Sequence, residues 1–387
     1  MIYFDNAATS FPKPECVISA TARALRENSA NPGRSGHKLS IDTAEKIYSA
    51  RQAVANFFSC SDAENVIFTQ NCTHSLNAVI KGFLKKGDHV LISNLEHNAV
   101  MRPIFSLAEK GLITFDTFEV SPLSDEATIE NFKSKITDKT RLCVCTNASN
   151  VTGQVLPVRQ IGRVCKMQGI AFCIDAAQTA GSGKINLKED NADFVCIAPH
   201  KSLFAPMGIG VLIALIPLDN VLIEGGTGGN SASKFVPEFY PERMESGTVN
   251  VPAILGLKAG INYLEKLNPT KLYENEMSVL KRIYSGLYNN EKIELYTPFP
   301  ETGKFMPVLP FNFRGVHSEK TAAALNSFGI ATRAGLHCAP SAHSALNTLQ
   351  TGAVRVSVGA FNTPRQADYL VSVINSEKFM KKLQDFH

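Results

Sequence analysis

The chain has 387 residues, of which 44% are hydrophobic and 19% charged, with a formal charge of +4. These values belong to a globular chain with a sizeable core and exclude disorder. The small net charge, with no basic block interleaved with aromatics, argues against a nucleic-acid surface, and no run reaches the ~18 consecutive apolar residues of a membrane helix.

A chain of this length exceeds one ordinary core and predicts a large domain with a smaller partner. The opening MIYFDNAATSFPKP has neither the charged start nor the apolar stretch of a secretion signal, so a cytoplasmic protein is expected. The nine cysteines are scattered, without the paired C-x-x-C spacing of a zinc site. No metal site is expected, and most of these cysteines read as small buried hydrophobes.

Between residues 40 and 215, amphipathic helices alternate with short β-branched runs, which predicts an α/β fold with a mainly parallel, seven-stranded sheet under helices. Strands are expected at 66–69, 89–93, 114–120, 141–146, 171–174, 194–197 and 210–215, and helices at 41–58, 73–83, 125–136 and 158–167. A Gly-rich segment at 225–229 and a polar stretch to about residue 245 precede a long helix starting near Val251. From about residue 260 helices and short strands mix, ending in a lysine-rich helix.

In open α/β sheets, ligands bind beyond the carboxyl ends of strands. One apolar strand ends in Asp175, and the next runs through Ala198 and Pro199 into His200 and Lys201. A lysine close to a buried strand end loses its proton readily, the condition for Schiff-base formation. A pyridoxal cofactor needs such a lysine for its aldehyde and an acid for its ring nitrogen; Lys201 and Asp175 supply both. The turn from Thr69 to Ser75 leads from a strand into a helix, whose free backbone donors suit a phosphate.

With these residues in place, the chain resembles the class V, fold-type I pyridoxal-phosphate enzymes, and among them the cysteine desulfurases and selenocysteine lyases. The resemblance runs through YFDNAAT (3–9), LEHN (95–98), SNVTG (149–153), DAAQ (175–178), HK (200–201) and ESGTVN (245–250). It implies that His97 stacks on the cofactor ring and assists proton transfer. By the same resemblance Asn150 and Gln178 bond near its phenolic oxygen, and Cys72, Thr73 and His200 hold its phosphate. Thr248 would reach in from a second subunit of a homodimer. The family's architecture implies an N-terminal segment at 1–14 packing on the small domain, a large cofactor-binding domain at 15–255 and a small C-terminal α+β domain at 256–387.

Cys338 lies in RAGLHCAP (333–340), a polar stretch marked by Gly and Pro and flanked by cationic groups, surroundings that activate a thiol. The segment resembles the R-x-G-x-H-C-A loop of group II desulfurases. Arg355 lies inside an alternating apolar strand, where a guanidinium requires an anion. Its segment resembles the family's R-x-S-x-x-x-x-N-T, which implies a bidentate clamp on the substrate carboxylate, with Asn150 beside it. The resemblance therefore implies conversion of L-cysteine to L-alanine, with Lys201 moving the Cα proton and Cys338 taking the sulfur as a persulfide for an acceptor protein or small thiol.

Three departures stand out. Ala198 occupies a position where the family usually has serine; the phosphate turn reads Asn71, Cys72, Thr73, His74; and the loop from Ser202 to Gly210 is one residue longer than usual. The polar loop at 31–37, with Arg34, reads as lying at the pocket mouth. Selenocysteine as substrate, another class V reaction (aminotransferase, epimerase or C–S lyase) and a non-catalytic sulfur-carrying scaffold stay open from sequence.

Overall fold

The computed structural model describes residues 1–32, 36–181, 185–226 and 232–384. In chain order the elements begin with β1 (Ile2–Tyr3), α1 (Glu15–Glu27), α2 (Lys38–Phe57), β2 (Val66–Thr69), α3 (Cys72–Phe83), β3 (His89–Ser93), α4 (Asn98–Glu109), β4 (Thr114–Phe118) and α5 (Asp125–Lys133). They continue with β5 (Thr140–Thr146), α6 (Val158–Gln168), β6 (Ala171–Asp175), α7 (Leu187–Asp190), β7 (Phe194–Ile197), β8 (Gly210–Ala214) and α8 (Val251–Leu267). The rest comprises α9 (Pro269–Tyr288), β9 (Ile293–Leu295), β10 (Val308–Phe313), α10 (Ser318–Ser327), β11 (Ile330–Ala331), β12 (Arg333–Gly335), α11 (Pro340–Ala345), β13 (Ala353–Ser357), α12 (Pro364–Ile374) and α13 (Glu377–Gln384).

Seven strands form one sheet in the order β2-β8-β7-β6-β5-β3-β4. The pairs β7·β6, β6·β5, β5·β3 and β3·β4 are parallel, and only β8 runs against its two neighbours. Strands buried on both faces need apolar side chains at every position, which explains the unbroken run through β6 and β7. Phe172, Ile174, Val195 and Ile197 point into a core completed by α2, α6 and α8. Their alternate neighbours Cys173, Phe194 and Cys196 point into a second core with α3 and α4. The result is three layers, helix on sheet on helix. Cys143, Cys145, Cys165, Cys173 and Cys196 fill these interiors as small hydrophobes.

A third core is separate. It gathers Met277, Leu280, Ile283 and Leu287 of α9, Leu309, Phe311 and Phe313 of β10, Val354 and Val356 of β13, and Leu370 and Ile374 of α12. Its sheet is antiparallel in the order β12-β13-β10-β9. The N-terminal strand joins this part of the molecule: β1 pairs in parallel with β11, and Phe4 is fully buried in the third core. Helix α8 instead packs along α1 and α2, with Ile254, Leu257, Ile261 and Leu264 in the first core.

The residues that precede and follow the parallel strands set the active end of the sheet. Thr69, Ser93, Thr146, Asp175 and Ile197 all lie at carboxyl ends of strands running the same way. Among the described residues no helix is long and apolar enough to cross a membrane, and no cluster of His, Cys, Asp and Glu has the arrangement of a metal site.

Candidate functional site

Asp175 closes the apolar strand β6 and is 3% exposed. Its Oδ1 accepts the amide N–H of Ala177 at 2.9 Å and the thiol of Cys72 at 3.7 Å. Strand β7 lies alongside, with Cys196 opposite Asp175, so the turn after β7 delivers Lys201 to the same sheet end. That turn is fixed by Lys201 N donating to Ala198 O and Phe204 N donating to Lys201 O, each at 3.1 Å. Burial lowers the Lys201 pKa, opposed by the charge of Asp175 and by Cys72. An amine so placed is a nucleophile and a base at lower pH than a solvated lysine.

The turn between β2 and α3 forms a second wall. Asn71 caps α3, its side chain accepting His74 N–H at 2.9 Å. The N–H groups of Cys72 and Thr73 precede the first intrahelical bond, and among the described residues nothing accepts from them. The Cys72 side chain is turned to Asp175, and burial raises its pKa well above the usual thiol value. Its contribution to this helix start is therefore the backbone amide. Gly210 of β8 lets the turn approach: a Cβ there would lie 2.3 Å from the carbonyl carbon of Asn71 and 2.4 Å from Thr69 Oγ1.

His97 forms a third wall as the N-cap of α4, with Nδ1 accepting Ala99 N–H at 3.0 Å. That bond leaves the ring proton on Nε2. Burial lowers the His97 pKa and Asp175 opposes the shift, so the ring is neutral at pH 7. Cys72, Thr73, His97, Asn150, Asp175, Gln178, His200 and Lys201 line one cleft. Ala198 lies in its wall where a hydroxyl would add a donor.

Two further residues, one on the antiparallel sheet and one on the loop after β12, bond to residues of this cleft or next to it. Arg355, on β13, is 2% exposed. It donates through one terminal nitrogen to Asn150 O at 2.9 Å and through the other to Asp5 Oδ1 at 2.7 Å, while its Nε has no acceptor among the described residues. Cys338 is exposed on the loop after β12. Its carbonyl accepts Asn98 N–H at 2.7 Å, and the preceding carbonyl, of His337, accepts the side-chain amide of Asn150 at 2.8 Å. The cysteine loop is thus pinned to the start of α4, one residue from His97. Asn150 spends one amide hydrogen on this loop.

Thr248 stands apart from this cleft. It is exposed and lines a different groove with Tyr48, Arg51 and Glu245. Glu245 anchors that segment, pairing with Arg51 at 2.7 and 2.9 Å and accepting Phe68 N–H at 2.6 Å. Arg34 of the expected mouth loop and residues 227–229 of the Gly-rich segment lie outside the described residues.

Some contributors carry no signal of their own in the sequence. Asp5 sits inside a motif but its partner is Arg355, 350 positions away. The His200 carbonyl, in the peptide just before Lys201, accepts from Thr9 Oγ1 at 3.0 Å, from Ser10 N and Oγ at 3.2 Å and from Lys13 Nζ at 2.6 Å. Burial lowers the Lys13 pKa to about 8 and that of His200 to about 4. Glu96 is fully buried between Ser93 and Thr146; its Oε1 accepts Thr146 N–H at 2.9 Å and the Ser93 hydroxyl. Burial raises its pKa to about 8 against those two bonds.

Comparison with known proteins finds similarity to cysteine desulfurases. A probable cysteine desulfurase of Pyrococcus abyssi is 32% identical over 395 residues, covering 99% of this chain and 95% of that protein. One from Borreliella burgdorferi is 30% identical over 397 residues, covering 99% and 92%. The apo structure of a cysteine desulfurase from Thermococcus onnurineus NA1 superposes with a TM-score of 0.86 at 31% identity, covering 96% of this chain and 93% of that one. The cysteine desulfurase CsdA of Escherichia coli gives 0.87 at 26% identity, covering 98% and 94%. The model of the aminotransferase class-V family matches residues 2–370, almost the whole chain, and this protein belongs to that family.

Proposed function

We propose that this chain is a pyridoxal-phosphate-dependent cysteine desulfurase that converts L-cysteine to L-alanine and takes the sulfur onto Cys338. The observation that carries the reading is one cleft holding Lys201, Asp175 and His97, with the Cys338 loop bonded to the first N–H of α4 beside His97.

The donor set fits the cofactor. The unpaired N–H groups of Cys72 and Thr73 at a helix start suit its phosphate, and Gly210 leaves room for that turn. Asp175 suits a protonated ring nitrogen, and Lys201 suits the aldehyde. Once bound, pyridoxal phosphate supplies an electron sink that makes bonds at the substrate's Cα and Cβ labile.

The protein's own groups do the rest. Lys201 Nζ, with its pKa lowered by burial, accepts and returns the Cα proton. His97, in the cleft wall with its Nδ1 held by the Ala99 N–H, has Nε2 left to act as a proton carrier. Arg355 offers its Nε and its Asp5-paired terminus to the substrate carboxylate. The Cys338 thiolate attacks the substrate sulfur: a sulfur–sulfur bond forms, the Cβ–sulfur bond breaks, and Cys338 is left as a persulfide. An acceptor protein or a small thiol then removes that sulfur.

The same reading makes Thr248 a residue that serves the neighbouring subunit of a homodimer, since it is exposed and outside its own cleft. It puts the enzyme in the cytoplasm; of the small domain expected at 256–387, α8 packs in the first core, which favours a boundary after that helix. The test is turnover of L-cysteine, scored as alanine and sulfide, beside Cys338→Ala and Lys201→Ala. Both variants are expected to lose activity by on the order of 100-fold or more; alanine formation undiminished in Cys338→Ala refutes the persulfide route. A parallel assay with L-selenocysteine ranks the two substrates.

A further inference from the structure

The loop bearing Cys338 is backed by three buried polar side chains to which the proposed reaction gives no role. His337 is 5% exposed, His343 0% and Thr348 1%. The two imidazoles stack with centroids 5.4 Å apart and planes at 15°. His337 Nδ1 lies 3.1 Å from His343 Nε2, and His343 Nδ1 lies 2.8 Å from Thr348 Oγ1. Thr348 is held in turn by its own N–H on His343 O at 2.9 Å and by its carbonyl accepting Gly352 N–H at 2.8 Å.

Burial pulls the His343 pKa to about 4 and that of His337 lower still. Both rings are neutral, and each has one N–H and one lone pair. A neutral ring between two partners must donate at one nitrogen and accept at the other, so the direction of the Thr348 bond fixes the tautomer of both rings. Both nitrogens of His343 are thereby partnered, while His337 Nε2, at the end of the chain, is buried with no partner among the described residues.

The backbone it supports is unusual. His337 and Cys338 have φ of 50° and 56°, two successive left-handed residues that are not glycine. That conformation costs free energy and persists only where surrounding contacts over-determine it. Asn98 and Asn150 hold the two carbonyls; the chain of His337, His343 and Thr348 holds the ring between them.

We propose that His343 and Thr348 are positioning residues for sulfur transfer: through the His337 ring they lock residues 337 and 338 in the left-handed form that presents the Cys338 thiol. This rests on Cys338 being the sulfur acceptor. Lys201 and Arg355 make no hydrogen bond to His343 or Thr348, so substrate binding is expected to survive its loss.

Thr348→Val keeps the shape and removes the hydroxyl, whereas Thr348→Ser keeps the hydroxyl and removes a methyl. The full-length holoenzyme is measured for kcat and KM with L-cysteine and for amide hydrogen exchange across residues 336–349. For Thr348→Val, kcat is expected to fall about tenfold with KM within about twofold, and loop amides to exchange about tenfold faster, the size of one lost hydrogen bond. Thr348→Ser is expected to stay within about twofold of wild type on each readout. Val matching wild type, or Ser failing as badly as Val, overturns the proposal. Should Thr348→Val fail to fold, His343→Gln, which keeps a polar atom facing His337, is compared with His343→Leu under the same criteria. Undiminished alanine formation by Cys338→Ala sinks the sulfur-acceptor reading and this proposal with it. An inactive Cys338→Ala with unchanged exchange in Thr348→Val sinks the positioning chain alone.

Discussion

Lys201 and Asp175 owe their chemistry to the strands that end beside them. A carboxylate ending β6 and an amine just past β7 leave water together, and the amine then responds to the carboxylate's charge. Borohydride reduction of the holoenzyme followed by peptide mapping is expected to label Lys201; a label on another lysine overturns the attachment site. Glu96 obeys the same physics with the opposite sign. Its unfolded pKa is ~4.3 and its folded value about 8, so between them the folded chain holds a proton that the unfolded chain has lost. Its contribution to stability is therefore complete below the unfolded pKa and is lost as pH rises toward 8, at up to ~1.4 kcal/mol per pH unit. Glu96→Gln is expected to gain stability over wild type progressively from pH 5 to 8, read from denaturant midpoints. Asp175 and Lys201 are legible in sequence because each follows an apolar run. Glu96 is not: an acid in a loop motif looks solvated until the strand ends close around it.

At the scale of elements, hydrophobic periodicity places β2, β3 and β7 at their observed limits and sets β4, β5, β6 and β8 within two residues of them. Helix ends are less legible. Helix α2 starts at Lys38 with His37 as its cap, ahead of the apolar periodicity, and α5 stops at Lys133, short of Ile136. Helix α4 is masked by Pro103 in its interior and is marked chiefly by its His97 cap. The turn between β2 and α3 depends on its neighbour β8 through Gly210. Gly210→Ala would push a Cβ within 2.3 Å of that turn. A cost of about 1–3 kcal/mol is expected, with about tenfold weaker binding of pyridoxal phosphate by equilibrium dialysis. Unchanged affinity would remove this turn from the phosphate site.

Across the whole molecule, the first thirteen residues tie the two larger bodies together. Asp5 pairs with Arg355 on the antiparallel sheet, while Thr9, Ser10 and Lys13 converge on the carbonyl before Lys201. Side-chain exposure in the ion pair is 2% for Arg355 and 21% for Asp5. Removing the carboxylate leaves a buried guanidinium short of an anion. Asp5→Asn is expected to lower stability by about 2 kcal/mol, less than the ~3–5 kcal/mol of a fully buried pair because Asp5 is partly solvated. The proposed dimer predicts sedimentation at twice the chain mass. Thr248→Ala is then expected to weaken cofactor binding without changing the denaturation midpoint, since Thr248 is exposed in its own chain.

The sequence by itself determined the layered α/β plan and the meeting of Asp175 and Lys201 at neighbouring strand ends. Both follow from local rules: two-sided burial makes strands uniformly apolar, and a titratable group at the end of such a strand is out of place unless it works. Tertiary structure alone decided that Arg355 is neutralised by Asp5, that Cys72 turns its thiol to Asp175, and that Asn150 serves the Cys338 loop. It also placed His343 and Thr348 behind that loop. Each of these depends on which side chain lies within about 3–4 Å in space, and residues separated by hundreds of positions meet only when the independent cores have packed against one another.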